Sequence, residues 1–297
     1  MNNKQKCGFV TILGATNAGK STLVNQLVGQ KVSIVTHKVQ TTRQRVLGIA
    51  IHEETQLVLV DTPGIFTAKR SLEKAMVDCA WRATSEADVQ IALFDVNDKR
   101  IDAAKSLISK AHSLQPQAPL LLVLNKIDTI PKAKLLEIID QFKDEPLQEI
   151  FMVSALKGDG VEHLRDKLIE YVPTGAWLFP ENEVSDLPMR VLAAEITREK
   201  LFIKLHEELP YELMVETEAW EEFDNGSVKI TQIIYVNRAG HKGIVLGNGG
   251  KMIKSISSAA RHELAELLGR PVHLFLHVKV VKDWMEKASY LRLLGLS

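Results

Sequence analysis

The spacing of apolar residues divides the chain into two halves. In the first half, apolar runs at 9–13, 46–51, 57–60, 89–94, 120–124 and 150–153 are bounded by turn residues. Runs that short and that uniformly apolar suit strands buried on both faces. Between them, helical periodicity appears at 22–28, 71–85, 103–113 and 161–171. Strands alternating with helices predict a mostly parallel α/β sheet with helices on both faces. The pattern stops at Pro173. Residues 174–187, with Trp177, Phe179, Pro180 and several acids, read as a linker. Beyond it the order changes. A helix is expected over 189–207, strands over 212–220 and 228–236 around an Asp224-Asn225-Gly226 turn, then a Gly-rich segment, a helix over 252–268, a strand over 272–280 and a terminal helix. This second half is α+β. The expected domains are 1–173 and 188–297.

Composition narrows the class. The chain has 297 residues, 45% apolar and 25% charged, which suits about two soluble domains. Two cysteines, Cys7 and Cys79, give neither a disulfide framework nor a metal cluster and fit a reducing compartment. No run approaches the roughly 18 apolar residues of a membrane span. The expected location is the cytoplasm, with a peripheral visit to the inner face of the cell membrane left open and a monomer as the default state. The 37 basic and 37 acidic residues cancel, so only their distribution can speak of an anionic partner.

The chemistry sits at strand ends. The first strand runs into Gly14-Ala15-Thr16-Asn17-Ala18-Gly19-Lys20-Ser21-Thr22, with a helix behind it. Glycines let successive backbone N–H groups converge on a phosphate, and the helix N-terminus adds positive potential. In that setting Lys20 reaches the β- and γ-phosphates and the Ser21 hydroxyl ligates Mg²⁺. The strand at 57–60 ends on Asp61-Thr62-Pro63-Gly64. Asp61 suits the metal, and Gly64 can present its N–H to a γ-phosphate with no side chain in the way. The strand at 120–124 ends on Asn125-Lys126-Ile127-Asp128. A carboxylate at Asp128 can accept from both N1–H and the 2-amino group of guanine, a pair of donors adenine lacks. Asn125 either meets the ring or braces the loops, and the Lys126 stem lies on the ring face. Ser154-Ala155-Leu156 follows the last strand and offers backbone to the guanine oxygen.

These motifs resemble the small GTPase superfamily, with Thr42 as its second motif. The resemblance adds Thr42 to Ser21 and Asp61 as a Mg²⁺ ligand, and implies Lys20, Thr42 and Gly64 as the groups acting at the γ-phosphate. Ile65 stands where Ras-like enzymes carry a water-orienting glutamine, so slow hydrolysis of GTP to GDP and phosphate is expected. Asn17 matches an asparagine that in some of this group helps hold K⁺.

In the second half, Gly247-Asn248-Gly249-Gly250 is a Gly-x-x-Gly turn between two helices, the signature of a K-homology RNA-binding domain, and the order helix–strand–strand–helix–helix–strand would be its type II arrangement. Between Lys229 and Arg261 there are six lysines and arginines and no acid. Lys242, Lys251 and Lys254 flank the turn and are the candidate phosphate contacts. A single GTPase domain followed by a type II K-homology domain resembles the Era family of bacterial ribosome-assembly GTPases. By that resemblance the partners are GTP or GDP, the 3′ end of 16S ribosomal RNA and the small ribosomal subunit. Asn248 departs from the basic residue usual between the glycines. An ATPase motor or kinase is disfavoured by Asn125-Lys126-Ile127-Asp128. The alternative, an RNA-binding adaptor with weak or inactive hydrolysis, is disfavoured by intact Lys20, Ser21, Thr42 and Asp61.

Overall fold

A computed structural model describes residues 5–38 and 40–296. The chain divides into two compact units. One runs to Asp186 and takes in the residues from Leu294 onward; the other is Leu187–Leu293.

The first unit is built from β1 (Lys6–Gly14), α1 (Lys20–Val28), β2 (Val46–His52), β3 (Thr55–Asp61), α2 (Ser71–Ser85), β4 (Val89–Asp95), α3 (Ile101–Leu114), β5 (Leu120–Asn125), α4 (Lys132–Gln141), β6 (Glu149–Val153) and α5 (Val161–Tyr171). The sheet order is β2-β3-β1-β4-β5-β6. β2 pairs antiparallel with β3, and the other pairs are parallel. One face packs Leu23, Val24, Leu164 and Leu168 against Val10, Ile12, Leu59 and Val123. The other packs Ala80, Ile108, Ala111 and Phe142 against Leu13, Phe94, Leu122 and Leu124. Both faces are covered, which is why the strands read as apolar runs without alternation. The connection from β1 leads to one side of the sheet and that from β4 to the other. The crevice at the carboxyl ends of these strands is where such sheets bind ligands.

α4 was not expected from the sequence. Its docking face is buried Leu135 with partly buried Ile138 and Ile139, a single i, i+3, i+4 set in a ten-residue helix and not a repeating stripe. The stretch 174–187, expected as a linker, is instead mostly a strap on the first unit. The Leu178 and Phe179 N–H groups donate to Gln56 Oε1 at 2.9 and 3.1 Å, and Gln56 Nε2 donates back to the Phe179 carbonyl at 2.8 Å. Further on, Ile49 N–H donates to the Val184 carbonyl at 2.9 Å and Leu47 N–H to Asp186 Oδ1 at 3.0 Å. The strap therefore covers the free edge of β2, whose backbone would otherwise lie open.

The second unit contains α6 (Met189–Lys204), β7 (Leu213–Glu222), β8 (Val228–Val236), α7 (Ala239–Leu246), α8 (Lys251–Leu268), β9 (Val272–Val280) and α9 (Ala288–Leu293). β7 and β8 are antiparallel, and β8 and β9 parallel. α6 and α8 bury Leu192, Ile196, Leu201, Ile256, Ala260 and Leu264 on one face of this sheet. The order from α6 to β9, helix–strand–strand–helix–helix–strand, is the one read from the sequence.

Candidate nucleotide and nucleic-acid sites

The loop between β1 and α1 curls tightly enough to demand special backbone. Asn17 has φ +64° and Gly19 φ +99°. A Cβ at Gly19 would sit 2.2 Å from Asn125 Nδ2, so no other residue fits there. Lys20 is buried inside the loop, where its ammonium donates to the carbonyls of Gly14 and Ala15 at 3.2 and 2.9 Å. Burial pulls its pKa down to about 8, opposed by the charge of Asp61.

Three oxygens converge beside it. Ser21 Oγ lies 2.7 Å from Asp61 Oδ2 and 2.9 Å from Thr42 Oγ1, and Thr42 Oγ1 donates to Asp61 Oδ2 at 3.2 Å. Asp61 is fully buried at the end of β3, and its Oδ1 has no hydrogen-bond partner among the described residues. Burial raises its pKa, while the Ser21 hydroxyl and the Lys20 charge pull the other way. A hard-oxygen set around a buried carboxylate with an idle oxygen fits a small hard cation such as Mg²⁺. Gly64 abuts the phosphate loop so closely that a Cβ would lie 2.6 Å from Thr16 Cγ2 and 2.9 Å from Thr16 backbone. Ile65 turns away: its N–H donates to the Gly14 carbonyl at 3.0 Å and its side chain packs with the Leu13–Phe94 cluster.

The opposite end of the cleft is built from the ends of β5 and β6. Asn125 Nδ2 donates to the Ala18 carbonyl at 2.7 Å, and Asn125 Oδ1 accepts from Ala155 N–H at 2.9 Å. Asn125 therefore braces the phosphate loop against the loop after β6, with a second amide hydrogen left over. Asp128 lies 3.4 Å from Lys157 Nζ. The Ser154 hydroxyl, with help from Lys157, holds its carboxyl below the usual range, so it is ionised at neutral pH. Lys126 has φ +67°, and its ammonium donates to Asp95 and to the Asn17 carbonyl.

A single cleft of about 300 Å³ connects the two ends. It is lined by Thr16, Asn17, Gly19, Lys20, Ser21, Thr22, Thr42, Gly64, Asn125, Lys126, Asp128, Ser154, Ala155 and Leu156 among the residues expected from the sequence. Gly14, Ala15, Ala18, Asp61, Thr62 and Pro63, also expected at the nucleotide, do not line it. Thr62 was expected at the nucleotide, but its hydroxyl donates to the Ile12 carbonyl at 2.7 Å and ties β3 to β1. Ile34, Val35, Thr36, His37, Gln40 and Thr41 also line the cleft. They sit in an irregular segment with no periodicity to flag them.

In the second unit, Gly247, Gly249 and Gly250 all have positive φ, at +71°, +59° and +75°. Gly247 ends α7, and a Cβ there would meet Met252 Cβ at 2.6 Å. Around Gly249 and Gly250 there is open space, so a backbone can approach them. Lys242, Asn248, Lys251 and Lys254 are exposed around the turn. Lys251 and Lys254 share a shallow surface with Lys204, Arg261 and His262, which the sequence reading did not connect to the turn. Arg261 and His262 follow Lys254 along one helix, but Lys204 comes from α6, and only the fold places it there.

A family model described as 50S ribosome-binding GTPase matches residues 9–126, and one described as KH domain matches residues 208–285. GTPase Era of Rhizobium meliloti (strain 1021) is 51% identical over 292 residues, 98% of this chain and 93% of that protein. The chain belongs to the Era family of GTPases. GTPase Era of Brucella suis biovar 1 is 50% identical over the same share of the chain. Two solved members of the family align over 99% of the chain at 40% identity. One, a variant of Aquifex aeolicus Era bound to GDP and AlF4⁻, has a TM-score of 0.93. The other, Era in complex with MgGDPNP and nucleotides 1506–1542 of 16S ribosomal RNA, has a TM-score of 0.92.

Proposed function

We propose that this protein binds and hydrolyses GTP in the first unit, and through the second binds the 3′ end of 16S ribosomal RNA during small-subunit assembly. The observation that carries the first part is the single cleft with a buried ammonium at one end and an ionised Asp128 at the other. Lys20 exchanges its loop carbonyls for phosphate oxygens. Ser21, Thr42 and Asp61 would hold Mg²⁺, which supplies charge to the β- and γ-phosphates. The Gly64 N–H meets the γ-phosphate. Ile65 offers no polar group to the attacking water, so hydrolysis is slow. The Asn17 amide nitrogen donates to the His37 carbonyl at 2.8 Å, which leaves its side-chain oxygen for K⁺. Turnover that is the same in NaCl and KCl would remove K⁺ from this site.

Asp128→Asn tests the base. Its amide cannot accept from both guanine donors, so GTP affinity falls about 100-fold or more while xanthine nucleotides gain. Unchanged guanine selectivity would overturn the role of Asp128. For the whole reading, a short RNA of the 3′ end is titrated with a GTP analogue, with GDP and without nucleotide, at stated salt. Selective binding that depends on the nucleotide supports it. Unselective binding that depends only on salt would leave a GTPase with another partner. The work is cytoplasmic and needs one copy of the chain. Membrane association is a separate matter, tested by sedimentation with anionic vesicles.

A further inference from the structure

Asp95 is the last residue of β4, and the parallel register sets it beside Asn125 at the end of β5. It does not line the nucleotide cleft. Its two carboxylate oxygens have different partners. Oδ2 accepts from the Lys126 ammonium at 2.6 Å. Oδ1 accepts from the Asn97 backbone N–H and side-chain amide, at 2.9 and 3.0 Å. The same Asn97 amide donates to Thr129 Oγ1 at 2.8 Å, and Thr129 Oγ1 donates to the Lys126 carbonyl at 2.6 Å. The network thus closes on Lys126 twice, at its ammonium and at its carbonyl. Lys126 is held in a left-handed conformation uncommon for a lysine. Its ammonium also reaches the Asn17 carbonyl at 2.9 Å. The side chain is therefore stretched between two fixed acceptors at the wall of the cleft.

We propose that Asp95 is a positioning residue for the guanine base: it fixes the Lys126 stem as a flat apolar rest for the ring and acts only through Lys126. The inference rests on the guanine-nucleotide reading above. A free lysine stem loses rotamer freedom when it is ordered, and a stem already ordered adds no such cost to binding. The network reaches the phosphate loop only at the Asn17 carbonyl and includes none of Lys20, Thr42 and Gly64, so it acts on affinity and leaves the chemical step alone.

The test is Asp95→Asn, which keeps the shape and the Oδ1 acceptor but removes the charge facing Lys126. GDP and GTP affinities are expected to fall by the same factor, roughly tenfold. KM rises with it and kcat changes less than twofold. In a Lys126→Met background, adding Asp95→Asn is expected to change nothing further. Losses that add in the double variant, a fall in kcat at unchanged KM, or full affinity in Asp95→Asn would each overturn the proposal. Asn97→Ala gives a second arm if the first variant folds poorly; its loss of affinity must also vanish in the Lys126→Met background. Wild-type protein that bound no guanine nucleotide would instead remove the underlying reading.

Discussion

Lys20 is a buried cation whose nearest partners are carbonyls, and this sets a pH dependence. In the unfolded chain its pKa is near 10.5, and in the folded site about 8. The depressed value means burial costs stability at every pH below about 8. That cost fades as pH rises from about 8 to 10.5, because the folded state releases the proton first. Binding has the opposite sign. A phosphate draws the proton back, so nucleotide affinity is expected to be flat between pH 7 and 8. Above that it falls by up to about tenfold per pH unit. Equilibrium titration of a fluorescent GDP from pH 7 to 9 checks this, and a flat profile would mean Lys20 stays charged in the empty site. Asp61, Ser21 and Lys20 were each legible as chemistry in the sequence, since acids and lysines at the ends of apolar strands have few structural uses. Thr62 was not separable from its neighbours by pattern: only the Ile12 carbonyl above it determines that its hydroxyl is structural.

At the scale of elements, the strap after α5 was the main feature hidden from the sequence. Aromatic and turn residues with no periodicity look like a linker, whether or not something receives them. What receives them is Gln56, fully buried on β3. Gln56→Ala would leave the Leu178 and Phe179 N–H groups and the Phe179 carbonyl without their partner. A loss of about 2–4 kcal/mol is expected, read as a lower denaturant midpoint at unchanged slope. A midpoint that holds would show that water takes over these bonds and that the strap is not anchored there. Strands β1 to β5 were visible because burial on both faces requires continuous apolar runs, and the edge strand β6 because Ile150, Phe151, Met152 and Val153 are all apolar. α4 was not, because its docking face is one short set, Leu135 with Ile138 and Ile139, and not a repeating stripe.

At the scale of the whole molecule, a net charge of zero conceals a segregated distribution. The stretch from Lys229 to Arg261 carries no acid, and it surrounds the glycine turn. Gly249→Asp places a carboxylate on the open side of that turn. At φ +59°, with no atom near the new Cβ, aspartate is tolerated better than most residues. The variant should therefore fold and hydrolyse GTP at an unchanged rate while binding RNA about tenfold or more weakly. Full RNA affinity in a filter-binding assay would place the RNA elsewhere. The two functions can be separated this way because each unit closes its own core.

The sequence by itself determined the two-domain order and the strands, and it put the glycine-flanked loop, Asp61 and Asp128 at or just beyond strand ends. Each depends on residue types whose chemistry allows few alternatives at a strand end. Tertiary structure decided the rest. It set Asn125 between Ala18 and Ala155, Ile65 against the core, Asp95 on Lys126 and the apparent linker on the edge of β2. Those roles depend on which groups from distant parts of the chain arrive within hydrogen-bonding distance, and neither composition nor periodicity carries that information.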